Sequence, residues 1–347
     1  MRPSLSDAIQ KAIEQAEGIG ESTRAIYLQH FHTLVKLAGG SASNIFRFPV
    51  EVGDAVRERY SEALTRRALL STARALPQYL PAIAERFPRA SDAYAALIRD
   101  DADLNDAQQR ALSGRMSERE TKSYLPWAEV CSVRDELERK LGPGDPDTLL
   151  LSMYVLMEPL RQDYGNIAIH NSEPDRNAAR NANFIVAERE GMALVLRAYK
   201  TAKHYGEFRR QIPAQLVQLI RASLQRQPRS HLFVNARGEP YEKRNSFVQH
   251  TNRRLRAIFG GRPVTVNTLR HSFISSIDFN RRTPGELIAT SRMMTHSLNM
   301  QQMYRRLPNS APAPAPAASP PAPASRPGCS TWPTRRPPIW PACATCW

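Results

Sequence analysis

The sequence predicts a mainly α fold with a small antiparallel β-sheet. Three observations predict it. Apolar residues recur at helical spacing through residues 1–115 and again from Ala214 onward. Between them, GNIAIH (165–170), NFIVAE (183–188) and MALVLRAYK (192–200) are short, aliphatic and β-branched, as strands are. A polar, charged stretch, GRMSERETKSYLP (114–126), separates the first helices from the rest of the chain. The predicted organisation is a helical domain over 1–115, a linker over 116–126, a second domain over 127–308 and a tail over 309–347.

In the first part, Ser22 is placed to cap a helix. Its apolar positions Tyr27, Phe31, Leu34, Val35 and Ala38 follow the i, i+4, i+7, i+8, i+11 pattern. Gly39 and Gly40 end it. A second helical stretch covers about 55–86 and breaks at Pro77 and Pro81. A third runs from Ser91 to Ser113. Arg66, Arg67 and Arg74 sit among the apolar residues, a pattern that suits a helical face lying on DNA.

Trp127 opens a helix that reaches Leu141, and LGPGDPD breaks it. Asp147 then caps TLLLSMYVLM, which is apolar all round and therefore a buried helix. It ends before Pro159, because the residue preceding a proline disfavours helix. After the three strands, RRQIP (209–213) makes a fourth. HYGEF is the turn before it, with Gly206 taking positive φ. Helical periodicity returns in AQLVQLIRASLQ, YEKRNSFVQHTNRRLRAIFG, TVNTLRHSFISSIDFN and GELIATSRMM.

The tail carries 11 of the 27 prolines, three of the four cysteines and three of the four tryptophans. Proline fixes φ and lacks an N–H donor, so this composition predicts an extended, disordered segment. Cys343 and Cys346 have metal-like spacing but form a single pair, so no metal site is expected. Only Cys131 precedes the tail, which implies no disulfide framework.

Lys plus Arg number 48 and Asp plus Glu 33, a formal charge of +15. The tail holds Arg326, Arg335 and Arg336 and no acid, which leaves +12 on residues 1–308. Such a balance predicts a polyanionic partner, nucleic acid first. No apolar run approaches the roughly 18 to 20 residues of a membrane helix. The first residues lack the apolar core of a signal peptide. An intracellular location is therefore expected, with no membrane partner.

Five residues stand out by type and order. Arg161 follows the buried helix in MEPLRQDYGNI. Lys200 sits at a strand end beside the turn in YKTAKHYGEFRRQIP. Arg270 lies in TVNTLRHSF, and His296 and Tyr304 in MMTHSLNMQQMYRRL. This order resembles the catalytic domain of the tyrosine recombinases, or phage-type integrases. The phrases around Lys200 and Tyr304 look most like the divergent branch found in large DNA viruses and Crypton-type mobile elements. The resemblance covers about 127–307, and residues 1–115 look like the family's core-binding domain.

The resemblance implies DNA cleavage and rejoining, as in recombination or integration, through a 3′-phosphotyrosine link. Tyr304 would be the nucleophile, Arg161 and Arg270 the phosphate clamps, Lys200 the general acid and His296 a hydrogen-bond partner of phosphate. It further implies no metal and no ATP. Double-stranded DNA is the implied partner, with a homotetramer on DNA, a monomer off it, and a nuclear site if the host is eukaryotic. Three departures accompany it. Asn267 stands where the family has histidine, so proton transfer rather than phosphate binding is in question. Tyr164 stands where the family often has an acid, with Asp163 beside it as a supporting residue. His296 and Tyr304 are eight residues apart, where nine is commoner. Lys203 is the second lysine of the turn and a supporting alternative to Lys200.

A catalytically impaired, recombinase-derived DNA-binding protein is the alternative, and a type IB topoisomerase-like relaxing activity would use the same chemistry. Arg244, Arg253, Arg254 and Arg256 are candidates for contact with phosphates or bases. The charge balance predicts that affinity for duplex DNA falls steeply and linearly on a log–log plot as salt rises. A titration across about 50 to 200 mM salt checks this, and a flat response contradicts it.

Overall fold

A computed structural model describes residues 4–177 and 179–307. The expectations for the tail, including those for Cys343 and Cys346, lie outside the described residues. Helices α1 Leu5–Glu14, α2 Glu21–Leu37, α3 Ala42–Arg47, α4 Pro49–Arg59, α5 Ala63–Ala75, α6 Pro81–Arg86, α7 Ala90–Arg99 and α8 Ala102–Leu112 come first. Then come α9 Glu118–Ser123, α10 Trp127–Leu141 and α11 Pro146–Val155. Strands β1 Ile167–His170, β2 Asn183–Glu188 and β3 Gly191–Leu196 precede α12 Ala202–Tyr205 and β4 Phe208–Gln211. The last helices are α13 Ala214–Arg226, α14 Arg244–Ile258, α15 Val266–Ser275, α16 Pro284–Met293 and α17 Leu298–Tyr304. The fold is mainly α with one small sheet.

One apolar cluster lies within the first helices, around Ile13, Phe31, Leu34, Leu70 and Tyr94. Arg66 is not a surface cation there. It is 5 % exposed, donates from Nε and Nη2 to Asp101, each at 3.0 Å, and reaches Asp103 at 2.6 Å. Arg67 and Arg74 are exposed. Ser22 does not cap α2; Gly20 is the N-cap, without a side-chain hydrogen bond. Gly39 and Gly40 do take positive φ after the helix. The stretch 55–86 breaks at Pro77 and Pro81, and also at residues 60–62. The polar connection holds a helix of its own, α9, whose Ser117 and Glu120 cap each other's backbone reciprocally.

A second cluster joins α10, α11, the sheet and α13–α15. Helix α11 is buried almost throughout, as an all-round apolar helix must be. Its N-cap is Asp145, which accepts from the Asp147 N–H. Asp147 instead pairs with the Arg254 guanidinium across the fold. The helix ends at Val155, earlier than Pro159 alone requires.

The sheet has strand order β1-β2-β3-β4. β2–β3 and β3–β4 pair antiparallel, with Ile185 opposite Leu194 and Leu194 opposite Arg210. β1 pairs parallel to β2, Ile167 opposite Asn183, so the sheet is mixed rather than antiparallel. The connection 171–182 is long enough to carry the chain back for a parallel pairing. Among the described residues no helix is long and apolar enough to cross a membrane.

Candidate active site

Arg270 lies on α15, whose Thr265 cap forms a reciprocal box with Thr268. Its side chain is fully buried. Nη1 donates to the Pro159 carbonyl and Nη2 to the Met294 carbonyl at 3.3 Å. Nη2 also lies 3.4 Å from His296 Nδ1. The guanidinium carbon sits 5.4 Å from the centre of the Tyr304 ring. Burial, then the nearby Arg161 charge, push the Arg270 pKa down to about 10, while Asp163 opposes this. The group still carries its charge at neutral pH.

An arginine has only donors, so His296 Nδ1 must accept and Nε2 must carry the proton. That Nε2 is buried without a hydrogen-bond partner, as is Arg270 Nε. Leaving two buried N–H donors unpaired costs stability. Burial first, then the charges of Arg270 and Arg161, push the His296 pKa down to about 3. The His296 and Tyr304 ring centres are 5.6 Å apart.

Arg161 is half-buried and reaches the same place by a different route. Nη1 donates to the Thr295 carbonyl at 2.9 Å and to its hydroxyl at 3.3 Å. Thr201 Oγ1 donates to the same carbonyl at 3.0 Å. Thr295 also closes the C-terminus of α16. Its N–H donates to the Arg292 carbonyl and the His296 N–H to the Ser291 carbonyl, a Schellman arrangement. Thr295 has φ +56, alone among the described non-glycine residues in having positive φ. A β-branched residue there costs about 1–2 kcal/mol that glycine would not. Its hydroxyl and carbonyl both serve Arg161. Sequence reading missed this residue, although it directly precedes His296.

Lys200 is not on a strand end. β3 stops at Leu196, and Lys200 lies in the irregular segment before α12. It is exposed and lines a cavity of about 380 Å³ with Asp163 and Tyr199. No hydrogen bond or ion pair joins it to Arg270, His296 or Tyr304; its neighbour Thr201 makes the link through Thr295. Lys203 is exposed on α12. Asp163 is half-buried, and Tyr164 beside it is fully buried, donating to the Met153 carbonyl at 3.1 Å.

Asn267 is exposed on α15. One helical turn before His271, it lines a separate cavity of about 350 Å³ with His271, Glu120 and Arg306. His271 carries no mark in the sequence beyond directly following Arg270. Its ring centre is 4.7 Å from that of Tyr304. Nδ1 lies 2.7 Å from the Tyr304 carbonyl and so must donate. Burial, then the Arg306 charge, push the His271 pKa down to about 4. Of the other candidate DNA contacts, Arg254 is engaged by Asp147 and Arg256 donates to the Gly261 carbonyl at 3.1 Å. Arg253 is exposed. Among the described residues no cluster of His, Cys, Asp and Glu could hold a metal ion.

Comparison with known proteins is sparse. No protein-family model matches the chain, and no curated protein matches it. Among solved structures, it is similar to a crystal structure of XerA recombinase, with a TM-score of 0.38 and 13% identity over 88% of this chain and 95% of that one. It is also similar to the XerH site-specific recombinase bound to its difH substrate in a pre-cleavage complex. There the TM-score is 0.39 and the identity 14%, over 88% of this chain and 91% of that one.

Both site histidines stay neutral in the fold, their pKa values below the ordinary 6.5. The unfolded chain therefore binds more protons, and stability present above about pH 6.5 is lost on acidification towards pH 3. Nitrogen-15 NMR should find no titration of either ring between about pH 5 and 8, with protons on His296 Nε2 and His271 Nδ1. Titration near 6.5 or the opposite tautomers would contradict the geometry. Thr295→Gly should raise urea-unfolding stability by roughly 1 kcal/mol, the αL penalty less part of glycine's entropy. An equal or lower stability would show that the turn is unstrained.

Proposed function

We propose that this chain cleaves and rejoins DNA strands, with Tyr304 as the nucleophile. The observation that carries the reading is the Arg270 guanidinium, fully buried yet in reach of both His296 and the Tyr304 ring. A phosphodiester is the substrate such a set suits. Attack by the Tyr304 oxygen, whose proton passes to solvent water, forms an O–P bond and breaks the bond to the 5′ oxygen, leaving a 3′-phosphotyrosine. Arg161 and Arg270 hold the non-bridging oxygens, where negative charge grows in the transition state. The His296 Nε2–H donates to one of them. Lys200 gives its proton to the departing 5′ oxygen as that segment closes on DNA. Rejoining runs the same steps backwards. Removing one such donor typically lowers the rate on the order of 10²–10³.

The +12 charge on residues 1–308 supports duplex DNA as partner. The order Arg, Lys, Arg, His, Tyr supports the tyrosine recombinase reading, and the phrases YKTAKHYGEFRRQIP and MMTHSLNMQQMYRRL carry its divergent viral and Crypton-like branch. That reading brings four protomers around two duplexes and a place inside the cell with its DNA. One observation favours the alternative, a protein that holds DNA without cutting it. Lys200, which the cutting reading needs as general acid, is exposed in an irregular segment.

A suicide-substrate trap decides between them. The protein is mixed with nicked duplexes drawn from candidate sites and denatured. A covalent protein–DNA band is expected, absent in Tyr304→Phe and reduced about a hundredfold in Arg270→Lys. Binding to a demonstrated site without any band supports the alternative.

A further inference from the structure

The nucleophile's own helix is poorly anchored. α17 has seven residues, and Gln301 is its buried residue. Both polar atoms of the Gln301 amide are buried without a partner. Such burial costs rather than contributes stability. The grip on Tyr304 must therefore come largely from outside the helix.

It comes from the residues just after Tyr304 and from the connection before α10. Arg306 is 8 % exposed. Its Nε and Nη2 donate to Glu120 Oε1 at 2.8 and 2.7 Å. Its Nη1 donates back to the Met303 carbonyl at 2.7 Å, inside α17. Its main-chain N–H donates to Ser275 Oγ at 2.7 Å, and that hydroxyl donates to the His271 carbonyl. The Leu307 N–H donates to the Gly114 carbonyl at 2.9 Å. Gly114 has φ +70, and a Cβ there would come within 3.3 Å of the Arg305 carbonyl oxygen and of the Leu307 side chain. Glycine suits both the positive φ and this close approach of the two segments.

Glu120 is committed on both oxygens. Oε2 accepts from the Ser117 N–H at 2.9 Å and its hydroxyl at 3.0 Å, which caps α9. Oε1 takes Arg306. A pair this exposed on the carboxylate side, 35 % against 9 % for Arg306, adds little net stability. Its contribution is to fix geometry.

We infer that Glu120 is a positioning residue for Tyr304, acting through Arg306. The place of the nucleophile then depends on the connection Gly114–Ser123, which joins the first eight helices to the rest. A shift of that connection withdraws or presents the tyrosine. The inference rests on the proposed function for its meaning but not for its geometry.

The test uses the full chain with Glu120→Gln, Arg306→Met and the double variant. A glutamine at 120 can satisfy the α9 cap or Arg306, not both. Single-turnover cleavage of the nicked duplex should fall about ten- to a hundredfold in each single variant. Duplex affinity and the unfolding midpoint should hardly move. The double variant should be no slower than the worse single one, because one interaction is lost in all three. Arg306→Lys, which keeps the charge, should recover part of the rate. Unchanged rates, or losses that multiply, overturn the inference. Amide hydrogen exchange reads the tie without turnover: Arg306 and Leu307 should lose protection in Glu120→Gln, and equal protection overturns it. A wild-type chain that forms no adduct at a demonstrated site counts against the proposed function alone.

Discussion

The structure turns on a buried positive charge. Enclosing a guanidinium costs several kcal/mol unless its N–H groups are received by well-placed acceptors. Arg270 meets that demand with the carbonyls of Pro159 and Met294 and the ring of His296. These partners come from two separate places, the bend after α11 and the turn after α16, and meet Arg270 on α15. The second apolar cluster holds α11, the sheet and α15 in one core. A hydrophobic residue at 270 would be easier to bury. An arginine there makes chemical sense because its charge faces a tyrosine, and its own Nε and His296 Nε2 are both left as unpaired donors.

Thr295 carries a related constraint. It sits where a helix end asks for glycine, and it accepts the strain of positive φ. In exchange its carbonyl gathers Arg161 and Thr201, and its backbone sets His296 in place. The site is thus assembled around one strained turn. Strain kept at a site by surrounding contacts is a common mark of function. Arg161 and Thr295 are 134 residues apart in sequence, so this contact exists only once the whole core has formed.

Local signals in the sequence read well where local forces decide. The helix Trp127–Leu141 and the helix from Ala214 arise from periodicity and from prolines at their starts. Gly206 takes the positive φ that its turn requires. Two of the misses share one cause: a residue spent on a distant partner. Asp147 has the type and place of a cap but serves Arg254. Arg66 has the look of a DNA contact but serves Asp101. The parallel pairing of β1 depends on how residues 171–182 return, which no period encodes. Of the site, residue types and their order were legible. Thr295 and His271 were not: Thr295 acts through its carbonyl on a remote arginine, and the His271 ring on a remote carbonyl. Asn267 draws attention by its place in a motif, and it lines a cavity that it shares with His271.

The most direct test of Tyr304 as the nucleophile is to map the covalent bond. The protein is trapped on a nicked duplex, digested with nuclease and protease, and weighed by mass spectrometry. A nucleotide remnant is expected on the peptide that contains Tyr304, with fragmentation placing it on that side chain. A remnant on another residue, or none at a site the protein demonstrably binds, would contradict that role.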